Sequence, residues 1–451
     1  MFLPWMIYGA NGYTGEVIAR EAIERGLRPI LAGRSREKIE PLAQELGLEW
    51  RAFALDRLDQ VARGLEGVKL VLHCAGPFSV TSAPMIEGCL GVGAHYLDIT
   101  GEIGVIEHTH AKPQAHRAKD VGVVLCSGVG FDVVPTDCVA LKLKELLPEA
   151  THLSLGFETD SAASPGTLKT ALESLEGGTL RRREGQIVKT PNAETQREID
   201  FGRGKTPAMA ISWGDVSSAY YTTRIANIDT WIPVPGKRTG VTKILNLARP
   251  LLATAFMQSA LKKLVTRFVN GPSAAQRKKS RTWVWGEATN AAGEKMTVRI
   301  EVGNVYDVTV DAALKVVTHL SDGDYAGGSY TPAMLLGSRA VEELVGVGKF
   351  EIDYNVAMSE ANIDNSGRNV LGDVGLWLTA TGWILAFVFS LPSLNFLLPI
   401  PAAICPLGLI FGLFGLWRKP RRSAQWAIAL GVAGQFCFVG TVWTHLIMAI
   451  R

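Results

Sequence analysis

Over residues 1–140, short continuous apolar runs alternate with stretches of helical periodicity. "WMIYGA" comes first, then "GYTGEVIAREAIERG", where Val17, Ile18, Ala22 and Ile23 form one apolar stripe and Gly26 is the stop. "RPILAGR", a helical "SREKIEPLAQELG", "EWRAFALD", "KLVLHCAGPF", "HYLDIT" and "VGVVLCSG" continue the alternation. The runs are apolar throughout rather than at every second position, as in parallel strands covered on both faces. Strand and helix in turn predict βαβ units in a doubly wound parallel sheet.

The pattern changes after residue 150. "THLSLGFET", "TWVWGEATN", "KMTVRIEVGN" and "YDVTVDAALKVVTHL" read as strands, several with period-two alternation. "SPGTLKTALESL" reads as a helix after a Pro-Gly turn. Residues 241–269, apolar and basic around Pro250, read as two helices covering the sheet, or as an interfacial pair guiding a lipid substrate. Beyond residue 373 come two long charge-free stretches divided by "RKPRR". A bilayer core takes about 20 apolar residues per helix, so they predict spans near 374–391, 396–417 and 424–449. Pro399, Pro401 and Pro406 leave a re-entrant hairpin open for the middle one. Arg418, Lys419, Arg421 and Arg422 put their loop, and two spans back the catalytic domains, on the cytoplasmic face. The predicted fold class is α/β. An N-terminal Rossmann doubly wound parallel sheet (1–140) precedes an α+β substrate domain (141–365) and C-terminal transmembrane helices (371–451).

Charge is nearly balanced, with 46 Lys and Arg against 43 Asp and Glu, and no basic block carries interleaved aromatics. Nucleic acid is therefore not an expected partner. The charged fraction of 20% and a mean hydropathy of +0.16 agree with an apolar tail. The six cysteines form no C-x-x-C pair and read as buried reduced thiols; no metal site is expected. The N-terminus lacks the basic region of a signal peptide.

Gly9, Gly12 and Gly15 fall where the first strand turns into the first helix, one residue off the G-x-G-x-x-G spacing. A side chain there would block the backbone's approach to a pyrophosphate, and the helix N-terminus offers N–H groups and a positive dipole end. Gly9, Asn11, Gly12, Tyr13, Thr14 and Gly15 are thus the candidate dinucleotide loop. The second strand ends in "LAGRS", without the acid that would accept from a ribose 2′-hydroxyl. Arg34, with Ser35, matches a 2′-phosphate instead, so NADP(H) is the expected cofactor. Arg36 and Lys38 read as a solvated helix face. Asp56, at the end of the third strand, either contacts the adenine edge or caps a turn.

These segments resemble the saccharopine dehydrogenase-like oxidoreductases, and among them the trans-acting enoyl reductase branch. "YGANGYTG", "LAGRS", "AGPF", "HYLDITGE", "GFDVVPTD", "SPGTLKTALE", "GPSAAQRKKSRTWVWGEATNAAGE" and "YTPAMLLGSRAVEEL" carry the resemblance across residues 6–352. It implies that Gly9, Gly12 and Gly15 bind the pyrophosphate, that Arg34 binds the 2′-phosphate, and that Ala75, Gly76 and Pro77 line the nicotinamide end. It also brings Glu102, Asp132 and Tyr13 to the cleft at the carboxyl ends of the strands. Reduction of a conjugated C=C leaves an enolate, which needs an oxyanion donor and a proton source. Glu102 or Tyr13 could donate; Asp132 is a third catalytic candidate, with helix capping as its structural alternative. The expected function is membrane-anchored, NADPH-dependent reduction of a C=C bond in a lipid-like acyl or isoprenoid substrate, with a homodimer among the expected assemblies. A saccharopine-type amino acid oxidoreductase and a non-catalytic NADP-binding membrane scaffold are the alternatives.

Overall fold

A computed structural model describes residues 3–161, 178–190, 196–234 and 274–356. The first sheet holds β1 (Trp5–Tyr8), β2 (Ile30–Gly33), β3 (Trp50–Ala52), β4 (Leu70–His73), β5 (His95–Asp98), β6 (Val124–Cys126) and β15 (Gly328–Ser329). They run parallel in the order β15-β6-β5-β4-β1-β2-β3. Trp5, Ile7, Leu31, Leu70, Leu72, Leu97 and Cys126 pack on one face with α1 (Tyr13–Glu24) and α2 (Arg36–Leu46). Met6, Tyr8, Ala32, Val71, Tyr96 and Leu125 pack on the other with α3 (Leu58–Gly64), α4 (Phe78–Val92) and Ala118 of α6 (Lys112–Asp120). Between α4 and α6 the chain forms α5 (Ile103–His110). Burial on both faces is why these runs are apolar at every position.

The second sheet contains β7 (Ala150–Thr159), β8 (Thr179–Arg183), β9 (Gln186–Thr190), β10 (Gln196–Asp200), β11 (Lys205–Ile211), β12 (Asn227–Pro233), β13 (Thr282–Asn290), β14 (Glu294–Val302) and β16 (Glu351–Val356). Its main path is β10-β11-β12-β7-β13-β14-β16, with the β8–β9 hairpin attached to β12. Only the β12–β7 pair is parallel among the described pairings of this sheet. α7 (Val134–Leu146) lies on one face, and α8 (Asp215–Thr223) packs against α7. Gly286 permits the close approach of α7, since a Cβ there would stand 2.5 Å from Val139 and 2.7 Å from Leu143. α9 (Ala274–Lys279) leads into β13.

Residues 305–322 correct the strand reading of "YDVTVDAALKVVTHL". They form helix α10 (Val305–Asp322), opened by Asn304, whose Oδ1 accepts the Tyr306 N–H at 2.9 Å. Val308 and Ala312 pack into the core of the second sheet. Val310, Ala313, Leu314, Val316, Val317 and Leu320 pack against the first. The many β-branched residues of α10 imitate a strand and outweigh a narrow polar stripe, Asp307, Asp311, Lys315 and Asp322, that follows the helical period. α11 (Pro332–Leu336) and a 3-10 turn at Ser338–Glu343 then close the second core.

The transmembrane part of the predicted fold class is also corrected. Among the described residues no helix is long and apolar enough to cross a membrane. The longest of them, α10, carries Asp307, Asp311 and Lys315. The segments 374–391, 396–417 and 424–449 lie outside the described residues, as do the expected helix in 164–175 and the pair in 241–269. The integral-membrane localisation drawn from those spans therefore has no support in the described fold. Cys74, Cys89, Cys126 and Cys138 are free thiols, the last three buried.

Candidate nucleotide-binding and active site

The strand order turns outward in both directions from the β4–β1 pair, and in an open parallel sheet a crevice opens there at the carboxyl ends. Gly9 leaves β1 at φ +87°, with its N–H donating to the Ala32 carbonyl at 2.7 Å. A Cβ on Gly9 would stand 2.7 Å from the Ala75 nitrogen, and one on Gly15 would stand 2.4 Å from the Gly9 carbonyl oxygen. Glycine at 9 and 15 is thus required by the way the loop folds onto itself and onto the end of β4. Gly12, at the cap of α1, supplies no side-chain acceptor. A helix start of this kind turns the N–H groups of its first turn toward an external acceptor, and a phosphate suits them. Asn11 is exposed, its Oδ1 2.9 Å from where a Cβ on Gly33 would be, which places the loop close against the end of β2.

Arg34 follows directly, exposed at the end of β2. Arg34 and Asp56 both lie within electrostatic reach of the Tyr8 phenol, which burial pushes up to about 12 and whose Oη donates to the Phe53 carbonyl at 2.8 Å. Asp56 does not end β3, which stops at Ala52; it stands exposed in the bend that follows. The Ser35 hydroxyl donates to Glu37 at 2.6 Å rather than capping α2. Arg36 pairs with Glu40 at 2.9 Å and lies over Trp50, a solvated helix face as read from the sequence.

At the other end of the crevice, Ala75, Gly76 and Pro77 form the turn from β4 into α4. The Thr81 hydroxyl donates to the Ala75 carbonyl at 2.6 Å, and His73 Nε2 lies 3.0 Å from the same hydroxyl. Burial pushes His73 down to about 3, so its imidazole is neutral at physiological pH. Glu102 accepts the Phe78 N–H at 2.9 Å and the Ser79 N–H at 2.8 Å. Both of its carboxylate oxygens are therefore committed to the first turn of α4, a structural rather than a proton-donating task.

Asp132 is different. It lies beyond β6, half-buried, packed where a Cβ on Gly101 would meet its carboxyl at 3.0 Å. No hydrogen bond reaches that carboxyl among the described residues, and desolvation pushes it up to about 7. Its backbone carbonyl accepts the Trp213 indole N–H at 2.9 Å.

Sequence reasoning missed the two acids beside it. Asp137, within "GFDVVPTD", is pushed up to about 6 by burial, against bonds from the Thr222 hydroxyl and the Ala333 N–H. Asp215 opens α8 and is held well above the ordinary range by burial and by the charges of Asp137 and Asp132. Nothing in the local sequence marks Asp215; the fold brings it to Asp132 and Asp137. Asp98, fully buried at the end of β5, accepts the Tyr96 and Ser127 hydroxyls and the Thr100 and Gly128 N–H groups at 2.8–3.0 Å. It stitches the turns after β5 and β6.

Tyr13 packs edge-on against Tyr306, ring centroids 5.1 Å apart, and its Oη accepts from Arg277 Nη1 at 3.1 Å. A trough of about 550 Å³ runs beside α10, but it borders Arg25 at the end of α1 opposite the glycine loop. Four of its charged residues pair as Arg25–Asp311 and Lys315–Glu343. It is not the crevice. Among the described residues no group of three or more His, Cys, Asp or Glu is placed to hold a metal ion.

Comparison with known proteins agrees with the nucleotide site. Residues 5–124 match the saccharopine dehydrogenase NADP binding domain. The N-terminal domain is of that type, and its cofactor is NADP(H). A saccharopine dehydrogenase-like oxidoreductase of Mus musculus is 35% identical over 154 residues, 29% of this chain and 35% of that one. A trans-acting enoyl reductase of Mycobacterium tuberculosis is 25% identical over 288 residues, 55% of this chain and 68% of that one. The match thus spans about a third of the mouse relative's length. A saccharopine dehydrogenase (L-Glu forming) of Saccharomyces cerevisiae aligns with a TM-score of 0.52 at 11% identity, over 78% of this chain and 100% of that one. That last likeness is one of fold.

Proposed function

We propose that this chain is an NADPH-dependent oxidoreductase that reduces a polarised C=C bond in a lipid-like acyl or isoprenoid substrate. The observation that carries the proposal is the Asp132 carboxyl, dehydrated, unbonded among the described residues and pushed up to about 7 near the carboxyl ends of the strands. An acid that keeps its proton near neutrality can protonate the enolate left by reduction of a conjugated C=C. Bound NADPH would supply the hydride. Asp132 gives its proton to the α-carbon and recovers one from solvent on its open side. Glu102 and Thr81 hold the turn from Ala75 to Ser79 in place, so the substrate meets a fixed wall.

The arginines of the second sheet support the lipid-like substrate over an amino acid. Arg181 and Arg183 both bind Asp229, Arg182 binds Glu107, and Arg197 binds Glu287. Each is engaged by an acid of the chain itself, Arg181 and Arg183 sharing one, whereas a substrate with several carboxylates calls for cations kept for it. The test is NADPH consumption by the purified chain with α,β-unsaturated acyl thioesters and unsaturated isoprenoids, set beside an amino acid with a 2-oxo acid. Consumption with the first group alone supports the proposal. Consumption with the second alone overturns it in favour of the saccharopine-type reaction, and NADPH binding without turnover of either leaves a nucleotide-binding scaffold.

A further inference from the structure

The loop "YGANGYTG" contains no lysine or arginine. By itself it can offer a pyrophosphate only neutral donors, although the group carries two negative charges. A cation does reach the loop from far along the chain. Arg277, in the last turn of α9, donates Nη1–H to the Tyr13 hydroxyl at 3.1 Å and Nε–H to Asp307 at 2.8 Å. Tyr13 is the first residue of α1, directly after Gly12.

The amino end of α10 sets this arrangement. Tyr306 supports the Tyr13 ring, Asp307 orients the guanidinium, and Asn304 Nδ2 lies 2.7 Å from the Ser280 hydroxyl just beyond α9. Three residues of one helical turn thus dock α9 against the glycine loop. The Arg277 side chain is 17% exposed, whereas Asp307 is 46% exposed and its charge is largely screened by water. The guanidinium has five N–H groups in a planar fork, and Tyr13 and Asp307 take two of them. Such a fork fits phosphate oxygens.

We propose that Arg277 is a cofactor-binding residue that brings a fixed cation from beyond the nucleotide sheet to the pyrophosphate of NADP(H), with Tyr13 and Asp307 holding it there. The inference rests on the glycine loop being the NADP(H) site. It assigns Arg277 to a part of the cofactor shared by NADPH and NADH, and Arg34 to the 2′-phosphate that only NADPH carries.

The experiment is a nicotinamide-fluorescence titration of the full chain with NADPH and NADH, for wild type, Arg277→Ala, Arg277→Gln, Arg277→Lys, Tyr13→Phe and Arg34→Ala. Loss of a charge-assisted contact predicts that Arg277→Ala weakens both nucleotides alike, by about 10- to 100-fold. Arg277→Lys restores part of that loss, since the charge returns without the fork. Arg277→Gln keeps neutral hydrogen bonding in the fold without the charge and shows the same loss should the alanine variant not fold. Tyr13→Phe removes one of the two contacts that fix Arg277 but keeps its charge and Asp307, so it weakens both nucleotides alike and by less than Arg277→Ala. Arg34→Ala weakens NADPH alone. Wild-type affinity for both nucleotides in Arg277→Ala, with NADPH still lost in Arg34→Ala, overturns the inference and leaves the site reading intact. A Tyr13→Phe loss larger than that of Arg277→Ala also overturns it, because the tyrosine and not the cation would then carry the contact. Wild type that binds neither nucleotide removes the site reading and the inference together.

Discussion

The carboxylate of Glu102 accepts the backbone N–H of Phe78 at 2.9 Å, across the gap between the turns that follow β4 and β5. With its second oxygen on Ser79, it serves as the cap that α4 lacks from its own Pro77. Glu102→Gln puts an amide NH₂ against one of those N–H groups. We expect a loss of about 1–3 kcal/mol in thermal or denaturant unfolding. Turnover falls in that variant while its pH profile keeps the wild-type shape. A profile that loses one limb would make Glu102 a titrating participant instead.

Asp132→Asn reports on the opposite situation. The folded-state value of about 7 lies above the ordinary 3.8, so the native protein binds this proton more tightly than the unfolded chain does. The stabilisation that this brings is complete below about pH 4 and is lost as pH rises through about 7. The amide copies the protonated acid without titrating. Wild type and variant should therefore melt alike near pH 4, with the variant gaining an advantage of about 1–4 kcal/mol by pH 8. Turnover should drop by about 100-fold or more, as for removal of a general acid. A stability difference independent of pH would contradict the assignment.

Asp98→Asn is the same chemical change with the opposite expected sign. Asp98 Oδ1 accepts the Thr100 and Gly128 N–H groups and Oδ2 the Tyr96 and Ser127 hydroxyls. An amide there must turn both hydroxyls round to accept from Nδ2, and it gives up the charge that strengthens all four bonds. A destabilisation of about 2–4 kcal/mol is expected at neutral pH, read in the same melts. Equal behaviour of the two Asp→Asn variants would mean that their surroundings are not as different as the hydrogen bonds indicate.

Gly15→Ala and Gly12→Ala separate steric need from sequence spacing. The added Cβ meets the Gly9 carbonyl oxygen at 2.4 Å in the first case and at 3.2 Å in the second. The first should cost about 2–4 kcal/mol and displace Gly9, abolishing nucleotide binding; the second should cost under about 1 kcal/mol. Calorimetry of the two variants with and without NADPH checks the order, and a reversed order would contradict this packing of the loop.

The strands at 5–8, 30–33, 70–73, 95–98 and 124–126 are legible in the sequence because burial on both faces leaves an unbroken apolar signal. The glycine loop is legible because its requirement is local, with Gly15 answering to Gly9 six residues away. α10 is not, because its valines and threonines carry a strand-like signal that masks the narrow helical stripe of Asp307, Asp311, Lys315 and Asp322. Glu102 and Phe78 are 24 residues apart, and Arg277 and Tyr13 are 264 apart. Their partnerships follow from which strand lies beside which, and no local residue pattern encodes that. Asp132 was visible as a candidate. What sets it apart from Glu102, an absence of donors among the described residues, belongs to the folded neighbourhood alone.

The seventh strand of the nucleotide sheet, β15, and the helix over its Leu97, Val124 and Cys126 face both come from beyond residue 300. During synthesis, the residues that form β1 to β6 emerge long before α10 exists to cover that face. The half-finished sheet must wait on the ribosome with a sticky side exposed, while some two hundred more residues are translated. A fragment cut near residue 140 would keep the glycine loop and lose the cover, and would be expected to recruit chaperones or aggregate. The nucleotide-binding unit is thus a product of the whole described chain, completed last at the side where its first half began.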